Sequence, residues 1–247
     1  AIMGILPENS KTKGSIKYYN DELNEKYLRK VRGKDIAFIP QSVDFLDPLM
    51  KVGKQVVGIN GNKERQKEVF KKYNLDDKVA EMYPFQLSGG MARRVLIATA
   101  VMNEAKLIIA DEPTPGLNLE LAMETLNNFR EIADSGCGVL LITHDVDLAL
   151  NVADRIAVFY SGTIVEIAQV EDFIKGKDAL RHPYSKAFID ALPQNKFKEL
   201  PGYQPYAGNL PKGCLFRDRC SLKTDECCME IKMRKVRDGE VRCINAT

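Results

Sequence analysis

Three stretches decide the fold. They are Leu87-Ser88-Gly89-Gly90-Met91-Ala92-Arg93-Arg94-Val95-Leu96-Ile97-Ala98, Lys106-Leu107-Ile108-Ile109-Ala110-Asp111-Glu112-Pro113-Thr114 and Gly138-Val139-Leu140-Leu141-Ile142-Thr143-His144-Asp145. From Ala92 to Met102 helix formers run on without a breaker. Ser88 suits the N-cap, and Gly89 and Gly90 leave backbone N–H groups bare. A helix start of this kind carries partial positive charge and attracts anions. Taken alone, Ser-Gly-Gly before a helix is an ordinary capped loop, and the two strands that follow give it weight.

Each of those strands is a short apolar run that ends in polar residues, the pattern of a buried parallel strand. Such strands deliver side chains to the carboxyl edge of a sheet, where ligands bind. Asp111 at that edge can hold Mg²⁺ through water. Glu112 can polarise an attacking water as general base. Pro113 stops the strand and sets the turn. A lone histidine reads as structural, but His144 ends the neighbouring strand and can reach the same phosphate.

In this order and spacing, over essentially the whole chain, the sequence resembles the nucleotide-binding subunits of ABC transporters. The resemblance implies an α/β P-loop NTPase core that binds ATP and Mg²⁺ between two such subunits. Ser88, Gly89 and Gly90 match the signature loop, which contacts ATP held by the partner. Asp111 matches the Walker B magnesium residue, Glu112 the catalytic base, and His144 the switch histidine that senses the γ-phosphate. Gln41, at the end of the apolar run Ile36-Ala37-Phe38-Ile39-Pro40, matches the Q-loop glutamine that ligates Mg²⁺ and orients water. Without the resemblance, Gln41 reads as a cap. Met91 stands where the family most often has glutamine, and Asn118 where its D-loop has aspartate.

The 247 residues suffice for one substantial core or a core with an appendix. The formal net charge of +2 is too small to argue for nucleic acid. No run approaches the ~20 apolar residues of a membrane span, and no signal peptide is visible. The expected location is the cytoplasmic face of the cell membrane, reached through partners.

Ala1 to Pro7 reads as an apolar helix-like piece halted by proline. The G-x-x-x-x-G-K-[ST] phosphate loop is absent from the chain, as is the family's adenine-stacking aromatic. The expectation is an incomplete N-terminus, short by on the order of 40–60 residues, and impaired catalysis by the chain as given. Gly14 to Tyr19 reads as an edge strand, and Leu23 to Arg32 as a helix. Residues 42–52 read as an apolar loop suited to docking. Lys54 to Leu87 reads as helical, with a solvated charge run at 63–72. Helices are expected over 120–134 and 147–153, then a hairpin through Ser161-Gly162. His182 precedes a proline and reads as a helix cap.

Arg181 to Pro193 resembles the stretch that marks the ATPases of oligopeptide, dipeptide and nickel importers. Of six cysteines, five lie between residues 214 and 243. In a cytosolic protein such clustering reads as metal or redox chemistry rather than disulfides. Four thiolates complete a shell for Zn²⁺ or an iron–sulfur cluster, and reduced, unliganded thiols are the bland alternative. Cys214, Cys220, Cys227 and Cys243 match the importer pattern, whose implied ligand is a [4Fe-4S] cluster. Cys228 is spare, and Cys137 reads as a packing residue.

The expected division is an ABC ATPase domain over 1–166, with a helical subdomain at about 42–100, and an extension over 167–247. The expected function is ATP hydrolysis that powers import of peptides or nickel. Expected partners are a second, different ATPase subunit, transmembrane permeases and, indirectly, an extracellular substrate-binding protein. A soluble non-transport ATPase and a non-hydrolytic truncated nucleotide-binding module are the alternatives.

Overall fold

Ile36-Ala37-Phe38-Ile39, the apolar run before Gln41, is the first strand of a parallel sheet whose other two strands are the runs ending in Asp111 and Ile142. A computed structural model describes residues 1–58, 61–195 and 197–246. They divide into two compact units, Ala1–Leu148 and Ala149–Thr247.

The first unit opens with a small antiparallel hairpin, β1 (Lys17–Tyr18) and β2 (Asp21–Glu22), then α1 (Glu25–Val31) and β3 (Ile36–Ile39). Next come α2 (Val52–Val57), α3 (Lys63–Lys72) and α4 (Gly89–Val101). Then follow β4 (Leu107–Asp111), α5 (Leu119–Asp134), β5 (Gly138–Ile142) and α6 (Val146–Val152). Parallel strands need long crossovers. The helical segment supplies the one from β3 to β4, and α5 the one from β4 to β5. The register sets Ile39 beside Ala110 and Asp111 beside Ile142, so Gln41, Asp111 and the residues after Ile142 all emerge at one edge.

β3 and β4 are almost wholly buried, as their composition predicts. β5 differs: its exposure alternates, and Leu140 and Ile142 keep 43% and 46% of their surface. Gly138, Leu140 and Ile142 alternate onto one face of the strand, and that face is left exposed among the described residues.

One local expectation is corrected. Ala1 to Pro7 is not helical: the Gly4 N–H closes a turn onto the Ala1 carbonyl at 2.8 Å, with Gly4 at φ +60°. A residue in that left-handed region ends helical geometry, and Pro7 cannot restore it. The segment 54–87 is helical, as expected, but in separate pieces. Gly58 at φ +56° terminates α2, and after α3 the chain makes 3₁₀ turns at Asp77–Glu81 and Pro84–Gln86.

The second unit contains β6 (Arg155–Tyr160), β7 (Thr163–Gln169), α7 (Val170–Ile174), α8 (Pro183–Ala191), β8 (Arg234–Val236) and β9 (Gly239–Val241). β6 and β7 pair through Ser161 and Gly162, both at positive φ, the geometry of a tight hairpin turn. β7 continues past residue 166 and pairs with β9, setting Glu166 opposite Val241. A division at residue 166 therefore falls inside a strand. The core of this unit joins Val158, Tyr160, Leu180, Ile189 and Phe216.

Glu166 is fully buried beneath α8. Its carboxylate accepts the backbone N–H groups of Arg181 and His182, both at 2.8 Å. The Arg181 guanidinium adds a longer contact to Glu166 and a 2.8 Å bond to Asp172. A buried carboxylate is tolerated when paired and bonded in this way.

Candidate functional site

Three neighbouring strand ends build the site. Beyond β3 the chain turns at Pro40 and presents Gln41, whose side chain is exposed. β4 ends at Asp111, and the Glu112 N–H then donates to the Ile142 carbonyl at 2.9 Å. That bond carries the β4–β5 ladder one residue further. Glu112 itself sits at φ +45°, a region L-residues rarely adopt. Strain at the end of a strand is characteristic of functional positions. Here it accompanies a side chain turned towards the second residue beyond β5.

That residue is His144. Its Nδ1 lies 2.8 Å from Glu112 Oε1. The Glu112 side chain is 16% exposed and that of His144 79% exposed. The hydrogen bond and charge of Glu112 hold the imidazole pKa above its ordinary value. The second carboxylate oxygen, Oε2, is buried and has no hydrogen-bond partner. A buried acceptor left in this state is costly, and it has the chemistry to bond a water or a hydrated cation. Asp111 and Glu112 supply hard oxygen donors side by side, as Mg²⁺ prefers.

Ser88, Gly89 and Gly90 occupy a different element. Ser88 caps α4, accepting the Met91 N–H on its Oγ at 3.3 Å. Ser88 and Gly89 are exposed, so the bare start of α4 faces outwards. Asn118 proves to be the N-cap of α5, its Oδ1 accepting the Leu121 N–H at 2.9 Å.

Sequence reasoning missed the role of Arg93. It is 4% exposed and donates to the carbonyls of Pro40 and Gln41 at 2.8 and 2.7 Å. The signal was present: Arg93, Ile97 and Ala100 share one helix face, and a cation at a core position of that pattern calls for a partner.

In the second unit, Cys214, Cys220, Cys227 and Cys243 come into one neighbourhood. The Cys214 N–H donates to the Cys227 carbonyl at 2.9 Å. Burial, and secondarily the other thiols of this group, raise the Cys243 pKa to about 11. All are free thiols. No group of three or more metal-type side chains is placed to hold a single metal ion among the described residues. Cys228 is exposed. His182 is the N-cap of α8, accepting the Tyr184 N–H on Nδ1 at 3.0 Å.

The sequence matches the ABC transporter family over residues 1–115, and the C-terminal region of oligopeptide/dipeptide transporters over 165–227. It is 31% identical to the oligopeptide transport ATP-binding protein OppD of Haemophilus influenzae, covering 98% of this chain and 80% of that one. It is 32% identical to the dipeptide transport ATP-binding protein DppD of the same organism, with the same coverage. Among solved structures it resembles the dimeric ABC transporter cassette MJ0796, with a TM-score of 0.58 and 28% identity, over 64% of this chain and 74% of that one. A dimer of that cassette in a post-hydrolysis state, bound to ADP and Pi, superposes with a TM-score of 0.57 at 26% identity. No described helix is long and apolar enough to cross a membrane. By sequence and by fold, this chain belongs to the ATP-binding proteins of the oligopeptide and dipeptide ABC transporter family.

Proposed function

We propose that this chain is an ATP-hydrolysing subunit that powers peptide import. The observation that carries the reading is the Glu112–His144 pair at 2.8 Å, set beside Asp111 at the carboxyl ends of parallel strands. Glu112 is the general base for the attacking water. His144 holds that carboxylate in place and presents its exposed ring face to the γ-phosphate. Asp111 and Gln41 hold Mg²⁺, which when bound neutralises charge on the phosphates. Ser88, Gly89 and Gly90 offer backbone N–H groups at a helix start to nucleotide on a second cassette. This chemistry also requires a phosphate loop of the form G-x-x-x-x-G-K-[ST], and residues 1–247 contain no such motif.

Peptides are the cargo class favoured over nickel, because the relatives named above are oligopeptide and dipeptide transport proteins. The partners we assign are a second, different ATPase subunit and transmembrane permeases, with an extracellular binding protein further upstream. The working place is the cytoplasmic face of the membrane. Phe45, Leu49 and Met50, exposed by 68%, 87% and 40%, form the surface for the permease. The ATPase chemistry is assigned to the first unit, Ala1–Leu148, and the importer-type extension to the second, Ala149–Thr247.

Cys214, Cys220, Cys227 and Cys243 are proposed to ligate a [4Fe-4S] cluster rather than Zn²⁺. A zinc site with Zn–S bonds of about 2.3 Å draws its thiolates tightly together. What supports the cluster is the match of these four cysteines to the importer pattern, together with four thiolates being a complete ligand set for a [4Fe-4S] core.

The test is Mg-ATP binding and hydrolysis by this chain joined to a G-x-x-x-x-G-K-[ST] phosphate-loop segment and assembled with its permease partners, beside Glu112→Gln and His144→Ala in the same form. The expected result is nucleotide binding by all three and hydrolysis by the parent alone. Absence of nucleotide binding in that assembly would overturn the reading.

A further inference from the structure

We infer that Arg93 is a positioning residue that fixes the backbone of Gln41 and ties it to the helix beginning at Ser88-Gly89-Gly90. Its guanidinium spans 52 residues of sequence to reach Gln41 and 53 to reach Pro40. The fork of Nη1 and Nη2 meets two successive carbonyls at 2.8 and 2.7 Å. A planar guanidinium makes such a two-point contact, and an ammonium does not.

The setting shows that packing alone is not the purpose. Arg93 is 4% exposed, and its helix-face neighbours Ile97 and Ala100 are buried. Burial by itself pulls its pKa down, and no neighbouring carboxylate opposes that shift. A buried cation without a counter-ion is expensive, and a leucine or methionine would fill the space at less cost. What the cation adds is its grip on the two carbonyls. Pro40 has no N–H to offer and a fixed φ, so at this corner the strand end can be anchored through its carbonyls. Gln41 is thereby held by its backbone while its side chain stays exposed to the strand-end site.

Arg93 lies one helical turn beyond Gly90. Any shift of the Gln41 backbone is transmitted to the exposed start of α4, and the reverse holds. The role assigned to the Gln41 side chain rests on the ATPase reading, whereas the mechanical tie does not.

The experiment compares the chain joined to a G-x-x-x-x-G-K-[ST] phosphate-loop segment with its Arg93→Met and Arg93→Lys variants by thermal melting, amide exchange and Mg²⁺-dependent ATP binding. Just beyond Gln41 the Asp44 N–H donates to Ser42 Oγ and the Leu46 N–H to the Val43 carbonyl, each at 3.1 Å. In Arg93→Met, exchange at these two N–H groups is expected to quicken about tenfold, the loss of roughly one charge-assisted hydrogen bond, while α4 and β4 stay protected. The Mg²⁺ needed for half-maximal ATP binding rises about tenfold with Mg²⁺-free ATP binding unchanged, since only the metal arm of the site has loosened. Arg93→Lys, which keeps the charge and loses the fork, falls between. Faster exchange spread evenly over β3 and α4 with a lowered melting temperature would mean a packing role and overturn the inference. Local loosening with an unaltered Mg²⁺ requirement would overturn it too. If the parent binds no ATP, the ATPase reading fails on its own, and the exchange arm still decides the tie.

Discussion

Nδ1 of His144 and Oε1 of Glu112 stand 2.8 Å apart, joining the residue after β4 to a residue just beyond β5. The contact makes each side chain depend on the charge of the other. Glu112 raises the His144 pKa, so the imidazolium persists to higher pH than an isolated histidine. The charged pair is fully formed below the ordinary imidazole value of about 6.5 and is lost as pH rises through the raised value. In Glu112→Gln the His144 pKa should fall back towards the ordinary value. Proton NMR can follow this directly, because the chain has only two histidines. An unshifted His144 titration in that variant would contradict the pairing.

Removing the carboxylate should also end turnover. A positioned general base contributes about 10²–10⁴-fold, so Glu112→Gln should lower kcat by that order with little change in nucleotide affinity. Single-turnover assays on the assembled transporter separate the two quantities.

His182 titrates in the opposite sense. Burial lowers its pKa to about 4, so the folded second unit holds it neutral while the unfolded chain protonates it near pH 6.5. Its contribution to stability is complete above about pH 6.5 and is lost as pH falls towards 4. Asn at this position keeps an N-cap and cannot titrate. His182→Asn should therefore flatten the loss of stability between those pH values, as read by denaturant melts across the range.

Glu166 should be the most sensitive position of the second unit. Glu166→Ala strips the acceptor from two backbone N–H groups and leaves the buried Arg181 guanidinium with Asp172 as its acidic partner. Breaking a buried pair in this way costs about 3–5 kcal/mol. Chemical denaturation of the parent and the variant measures it, and a cost within about 0.5 kcal/mol, typical of surface substitutions, would refute the assignment.

Iron reconstitution tests the cysteines. Serine at Cys214, Cys220, Cys227 or Cys243 should abolish the visible absorbance of a reconstituted cluster, while serine at the exposed Cys228 should not. Retention of the cluster by the Cys243→Ser protein would remove Cys243 from the ligand set.

Much was legible in residue order alone. Apolar runs ending in Asp111-Glu112 and before His144 specify parallel strands because period, length and terminal polarity are local properties. Ser88 announces a helix start because a cap acts within one turn. His182 before Pro183 announces another for the same reason. Tertiary structure decided what depends on residues distant in sequence. It turned Glu112 into positive φ against Ile142 and His144, brought Arg93 under Pro40 and Gln41, and buried Glu166 against Arg181. It left one face of β5 exposed although its composition is that of a buried strand, because burial of a strand face is set by what packs against it and not by its own residues.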